Sequence, residues 1–287
     1  SLRILVTGAT GFIGNNLVNE LLKDKNIEII STSRCNKKAS KFDWFSKVKH
    51  IPYDINSNKD LNLFDYFDKP DKVIHLAWDG LPNYNDLIHI EKNLFHNYSF
   101  IKNLAFNGLK DITITGTCFE YGLVNGCLNE DLIANPSNSY AKAKDSLRKF
   151  TEELEKKHGF SYKWVRLFYM YGEGQSKNSL IAILDKAIRD GESEFNMSGG
   201  EQLRDYLHIR EVASNLSKIA LQNKIYNQII NCCSGEPVPI KIFVENYLSK
   251  KEYKMKLNLG YFPYSIYEPM AFWGDNAKLQ MILGDLL

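Results

Sequence analysis

No stretch of this 287-residue chain approaches the about 18 uninterrupted apolar residues that a membrane-spanning helix requires, so no span is expected. A dominant charge is also missing. Lys and Arg total 36 against 34 Asp and Glu, a net charge of +2, which provides no global field for nucleic acid or an anionic membrane. Cysteine is sparse: Cys35, Cys118, Cys127, Cys232 and Cys233 are an odd set with no CxxC. They read as reduced thiols rather than a disulfide framework or zinc site, and point to the cytoplasm. The six histidines are scattered with no HExxH, so no metal is expected. Repeats and low-complexity tracts are absent, and an apolar strand opening the chain leaves no room for a signal peptide.

What is present is a 44% apolar composition, enough for one large α/β domain or a domain with a smaller lobe. Buried-strand runs (Arg3–Thr7, Ile27–Thr32, Val48–Tyr53, Lys72–Leu76, Asp111–Thr115, Tyr162–Phe168) alternate with helical patterns, notably Asp86–Ala105 and Tyr140–Lys157. That alternation predicts a Rossmann-type, doubly wound parallel sheet over residues 1–168. Residues 169–287 read as a smaller α/β substrate lobe, with helices near Leu180–Arg189, Val212–Leu221 and Ile240–Leu248. Ile229–Cys233 reads as a buried strand, and some segments of the lobe return to the first domain.

The first strand runs into Gly8, Gly11 and Gly14 at three-residue spacing, followed by Leu17, Val18, Leu21 and Leu22 at helical spacing. Gly8 permits a tight turn, Gly11 a close approach to a pyrophosphate and Gly14 close helix–strand packing. The helix N–H groups then face the phosphates. Gly-rich turns also close ordinary loops, but the strand before and helix after favour a dinucleotide site. Gly8, Thr10, Gly11, Phe12 and Ile13 are its first candidates; Leu76 and Ala77, after the fourth strand, also belong to it. The second strand ends Ser31-Thr32-Ser33-Arg34 without a carboxylate. Ser33 and Arg34 suit a 2′-phosphate, favouring NADP(H) over NAD(H), although Arg34 also fits a solvated residue after a strand. Asp54, with Ile55 beside it, is a candidate acceptor for the adenine amino group or a turn residue.

Tyr140 and Lys144 are four apart and share one helix face. An ammonium near a phenol favours phenolate, lowering its pKa from about 10. Two other Tyr/Lys pairs show the same spacing. Only Tyr140 opens a helix after a polar turn, downstream of the strand-end cluster Thr115-Gly116-Thr117.

Taken together, the chain resembles the extended short-chain dehydrogenase/reductases, in their nucleotide-sugar epimerase, dehydratase and reductase branch. The resemblance rests on Thr7 to Gly14, His75-Leu76-Ala77, Asn93-Leu94, Thr117 before Tyr121-Gly122, and Tyr140 with Lys144. It continues through Arg166-Leu167-Phe168 before Tyr171-Gly172, Gln202 to Ile209, and Ile230-Asn231 before Ser234-Gly235. It implies that Tyr140 is the acid/base, that Lys144 binds the nicotinamide ribose and lowers the phenol's pKa, and that Thr117 bonds the reacting sugar oxygen. Arg204 would contact the diphosphate; alternatively it only pairs with Asp205, and Thr117 only ends a strand. Phe119, Tyr169, Asn178 and Ser179 are candidate sugar-pocket residues.

The departures from the family decide the expected reaction. Its 4,6-dehydratases follow the threonine with Asp-Glu, whereas here Cys118 and Phe119 follow. Its 3,5-epimerase/reductases place a cysteine where Phe119 stands. Its 4-epimerases carry an asparagine where Tyr169 stands and a late arginine replaced here by Tyr267-Glu268-Pro269-Met270. The expectation is NADPH-dependent reduction of the C4 keto group of a nucleotide-activated, dTDP-6-deoxy sugar. Thr117 to Gly122 and Trp78 to Tyr84 look like the corresponding stretches of dTDP-4-dehydro-6-deoxyglucose reductases. A 4-epimerase holding NAD tightly is the alternative, and a non-catalytic NADP-binding sensor a weaker one. Relatives dimerise through the helices matching Asp86–Ala105 and Tyr140–Lys157, which implies a homodimer.

Overall fold

A computed structural model describes residues 1–57 and 59–284. Seven strands form one sheet: β1 (Leu2–Thr7), β2 (Ile27–Thr32), β3 (Lys49–His50), β4 (Lys72–His75), β5 (Asp111–Thr117), β6 (Ser161–Leu167) and β7 (Gln228–Cys232). Their order is β7-β6-β5-β4-β1-β2-β3, and every pairing is parallel. This is the Rossmann order, and the winding reverses between β1 and β4, where a crevice opens beyond the strand C-termini.

Alternation of side chains explains the two cores. Ile4 and Val6 of β1 face the helices α1 (Phe12–Leu21), α5 (Ile209–Leu221) and α7 (Ala277–Leu283). Leu5 faces the opposite way, packing with Phe100, Ile101 and Leu104 of α2 (Leu94–Phe106) and Leu147 and Leu154 of α3 (Ser139–His158). A separate apolar cluster joins α4 (Leu180–Arg189) to α6 (Ile240–Lys250) through Ile181, Leu184, Val244 and Leu248. α5, β7 and α7 lie on the large sheet although they follow residue 168, so the chain returns to the sheet between the two helices of the smaller cluster and again after it. Among the described residues no helix is long and apolar enough to cross a membrane.

Two elements depart from their sequence patterns. The run Val48–Tyr53 forms regular strand only at Lys49 and His50. Ile51 and Tyr53 still donate to Ser31 and Ser33, both at 2.9 Å, so the segment stays extended beside β2. The helix expected over Asp86–Ala105 begins instead with a π-turn, His89–Asn93. The wider turn directs the Asn93 amide onto the Asp79 carbonyl at 2.8 Å, fixing the loop before it.

Candidate active site

The glycine loop has the geometry that its residues require. Gly8 adopts φ +63°, and a Cβ there would meet the Ala77 nitrogen at 3.0 Å. A Cβ on Gly14 would meet the Gly8 carbonyl at 2.1 Å, so only glycine permits this helix–loop approach. α1 starts at Gly11 with no side-chain cap and no acidic residue in its first turn. Its N-terminal N–H groups and positive dipole end are therefore free for an anion. Thr7 braces the floor, its hydroxyl accepting from the Leu76 and Ala77 amides (2.9 and 3.2 Å) and pairing with His75 Nδ1 at 2.7 Å. Burial lowers the His75 pKa to about 4, so the ring stays neutral between Thr7 and Asn97.

Gly8, Thr10, Gly11, Phe12, Ser33, Arg34, Asp54, Ile55, Leu76 and Ala77 line a cleft of about 650 Å³. Ile13 lines the adjoining cavity, which shares Phe12, Leu76 and Trp78 with the cleft. Thr32, which lines this cleft, has a buried hydroxyl without a hydrogen-bond partner among the described residues, a feature that suits a bound dinucleotide. At the same end Ser33 is engaged, donating to the Cys35 carbonyl and pairing with His50 Nε2, both at 2.9 Å. Arg34 is exposed, 3.8 Å from Asp79, and Lys38 joins it on the lining. Asp54 lines the cleft too, while one of its oxygens accepts from the Asn56 amide at 2.9 Å.

The neighbouring cavity, about 410 Å³, brings together Thr117, Phe119, Tyr140, Lys144, Tyr169 and Ser179. α3 supplies Tyr140 and Lys144 from its first two turns. Asn138 caps it by accepting from the Ala141 amide (2.8 Å), and left-handed Gly159 closes it. Lys144 donates to the Thr115 carbonyl at 2.7 Å and lies 4.4 Å over the Trp78 ring. Burial lowers its pKa to about 8, with Glu120 opposing the shift. Burial also pushes the Tyr140 phenol up, aided by the negative charge of Glu120. Burial therefore favours the protonated phenol, opposite to the lowering that the Tyr/Lys spacing suggests. Among the described residues no hydrogen bond joins the phenol to Lys144.

Thr117 ends β5 and starts a single 3₁₀ turn, its hydroxyl accepting from the Phe119 amide at 3.2 Å. Its own amide donates to buried Glu120 at 2.7 Å, and Glu120 also accepts from Trp164 (3.0 Å) and Arg166 (2.8 Å). Cys118 is buried, and burial pushes its thiol far up, which fits packing rather than acid/base work.

Asn178 lies apart from these groups, on a further cavity of about 600 Å³ that Tyr169 and Glu268 also line. Arg204 is 2% exposed and is not among the residues lining these cavities. Its Nη1 donates to the Leu203 and Met270 carbonyls (2.8 and 3.3 Å), and Nη2 pairs with Glu268 at 3.2 Å. Asp205, its sequence neighbour, instead accepts from Ser234, Gly235 and Gly274. Sequence reasoning missed Glu268, Gln175 and Ser176, which approach the site from segments distant in the chain.

Residues 4–233 match the NAD dependent epimerase/dehydratase family. The chain belongs to that family. Within it, a dTDP-6-deoxy-L-talose 4-dehydrogenase (NAD(+)) from Aggregatibacter actinomycetemcomitans is 29% identical over 95% of this chain and 99% of its own length. A dTDP-4-dehydro-6-deoxyglucose reductase from Escherichia coli is 26% identical over 84% of this chain and 79% of its own. Among solved structures, the UDP-glucuronic acid 4-epimerase from Bacillus cereus, in complex with UDP-glucuronic acid and NAD, has a TM-score of 0.83 at 23% identity, over 99% of this chain and 93% of that one. The chain is thus an NAD(P)-dependent nucleotide-sugar oxidoreductase of the short-chain dehydrogenase/reductase type.

Proposed function

We propose that this member reduces the C4 keto group of a dTDP-activated 6-deoxy sugar with NADPH. The carrying observation is that Thr117, Tyr140 and Lys144 meet in a cavity opening onto the dinucleotide cleft, while Cys118 and Phe119 supply no second acid/base pair. C4 oxidoreduction is also the activity named for the two curated relatives, one of them written as a dehydrogenase. The glycine loop, Leu76, Ala77 and Lys144 would hold the dinucleotide. Its nicotinamide, when reduced, supplies the hydride. Thr117 and Tyr140 hold the keto oxygen, and Tyr140, kept protonated by burial, gives that oxygen its proton. Arg204 remains the candidate for the diphosphate through its Nε, which has no hydrogen-bond partner among the described residues. Supplying dTDP-4-keto-6-deoxyglucose with NADPH and following the reduced-nicotinamide absorbance tests the reading. No oxidation across dTDP-, GDP- and UDP-4-keto sugars would reject it. An epimerase would instead copurify with NAD and interconvert sugar nucleotides without net cofactor change.

The preference for NADPH rests on Arg34 and Lys38 at a strand end with no ribose-binding carboxylate. Arg34→Ala should weaken NADPH binding about tenfold or more, the size of one lost charge-assisted contact, and leave NADH nearly unchanged. Equal weakening of both in a titration would remove the 2′-phosphate role.

We also infer a homodimer. Phe95 (63% exposed), Phe106 (71%) and Phe150 (42%) lie on α2 and α3, the first and last of them lining an apolar groove of about 440 Å³. Single-molecule proteins seldom leave such a strip uncovered. Phe95→Asp with Phe150→Glu should convert the dimer to monomer in light scattering, and an unchanged mass would refute this interface.

A further inference from the structure

The charges around the sugar cavity select what can enter it. Among the described residues lining it, Lys144 is the one cation, and its ammonium is committed to the Thr115 carbonyl and the Trp78 face. Glu268 is the one anion. It stands where this cavity meets the larger one lined by Asn178, and lines both. Arg204 does not offset it on the cavity side, because its guanidinium packs against Phe272 (4.7 Å) and Tyr169 (5.7 Å) and pairs with Glu268 from there. A ring entering the cavity therefore meets the negative end of that ion pair. One Glu268 oxygen bonds Arg204, and the other has no hydrogen-bond partner among the described residues.

Two neutral groups complete the lining. The Tyr169 hydroxyl and Gln175 Oε1 are buried, and neither has a hydrogen-bond partner among the described residues. A buried donor and acceptor left open in a cavity are satisfied by a ligand that brings hydroxyls. A ligand carboxylate leaving water would find no free cation there, only the neutral Tyr169 hydroxyl to donate to it, and would face Glu268.

We propose that Glu268 is a specificity-determining residue that reserves the sugar site for rings without negative charge, its free oxygen accepting from a ring hydroxyl. The chemical class is a neutral hexose or deoxyhexose on a nucleoside diphosphate, as against a uronic acid. This inference rests on the nucleotide-sugar reading above and does not depend on the direction of hydride transfer.

The test is equilibrium binding to the NADP⁺-loaded protein, using dTDP-glucose, dTDP-glucuronate and the corresponding UDP pair. With either base, the glucose form should bind at least about tenfold tighter than the glucuronate, the scale of one partly screened like-charge contact. Glu268→Gln, which keeps the size of the side chain, should shrink that ratio to about threefold or less by improving glucuronate binding. Equal affinity for glucose and glucuronate forms in the wild type would overturn the assignment, as would an unchanged ratio in the variant. If none of the four binds, the dTDP-sugar reading proposed above falls, and this assignment with it.

Discussion

Tyr140→Phe should lower kcat for carbonyl reduction by about 10²–10⁴-fold, the usual worth of a positioned proton donor, while leaving NADPH binding intact. The hydroxyl is the only atom removed, and the ring keeps its edge contacts with Trp78 and His89 and its packing on Tyr84. Among the described residues the hydroxyl makes no hydrogen bond, so stability should change little. Reduction needs a proton donor, and burial holds this phenol protonated well above neutral pH. Lys144 sets the alkaline limit instead. Its pKa is lowered to about 8 by burial, so its ammonium is present below that pH and lost above it. The rate of reduction should accordingly fall as pH rises through about 8. Lys144→Arg, which cannot deprotonate in this range, should remove that limb of the profile even if the plateau is lower. Unimpaired reduction by Tyr140→Phe, measured as NADPH oxidation at saturating sugar, would take the proton transfer away from this residue. Loss of turnover with cofactor binding retained would also count against a purely sensing role.

The parts of this site visible in the sequence are those set by local geometry. The glycine loop could be read because positive φ at Gly8 and the 2.1 Å clearance at Gly14 leave few residue choices. Tyr140 and Lys144 could be read because four residues make one helical turn, and Thr117 because it closes a continuous buried strand. Sheet order followed from strand–helix alternation. What was hidden depends on residues distant in sequence. Arg204 reads as a diphosphate contact or a partner of adjacent Asp205, yet the carboxylate that it pairs with, Glu268, lies 64 residues away. The Tyr140 environment includes Tyr84, His89 and Trp78, brought in by a π-turn that leaves no mark in apolar periodicity. Burial of the phenol is likewise a tertiary property. The same spacing that places a lysine near a tyrosine says nothing about the apolar surface that opposes ionisation.

Glu120→Ala should be the most destabilising single change near the site, costing about 3–5 kcal/mol, the range for breaking a fully buried ion pair from one side. Glu120 and Arg166 are both completely buried, at 2.8 Å. The bond runs from Arg166 Nε, and Nη1 and Nη2 have no hydrogen-bond partner among the described residues, so loss of the carboxylate leaves the guanidinium with only the Tyr121 face at 4.4 Å. The same carboxylate also receives the Thr117 amide and the Trp164 indole N–H, both of which would be orphaned. Space confirms how tightly the group is fitted: a Cβ on Gly116 would lie 2.4 Å from Glu120 Oε2 and 2.2 Å from Trp164 Nε1. A double change separates charge from geometry. Glu120→Ala with Arg166→Met removes the stranded cation, and its urea midpoint should recover a large part of the loss. Catalysis should not recover with it, because the Thr117 amide still lacks the acceptor that fixes the end of β5, and Thr117 would no longer hold the keto oxygen in register with Tyr140. Recovery of kcat together with stability would mean that Glu120 serves only to neutralise Arg166. Recovery of stability alone, with KM for the sugar nucleotide raised and cofactor binding unchanged, is the result expected if this buried carboxylate positions the threonine.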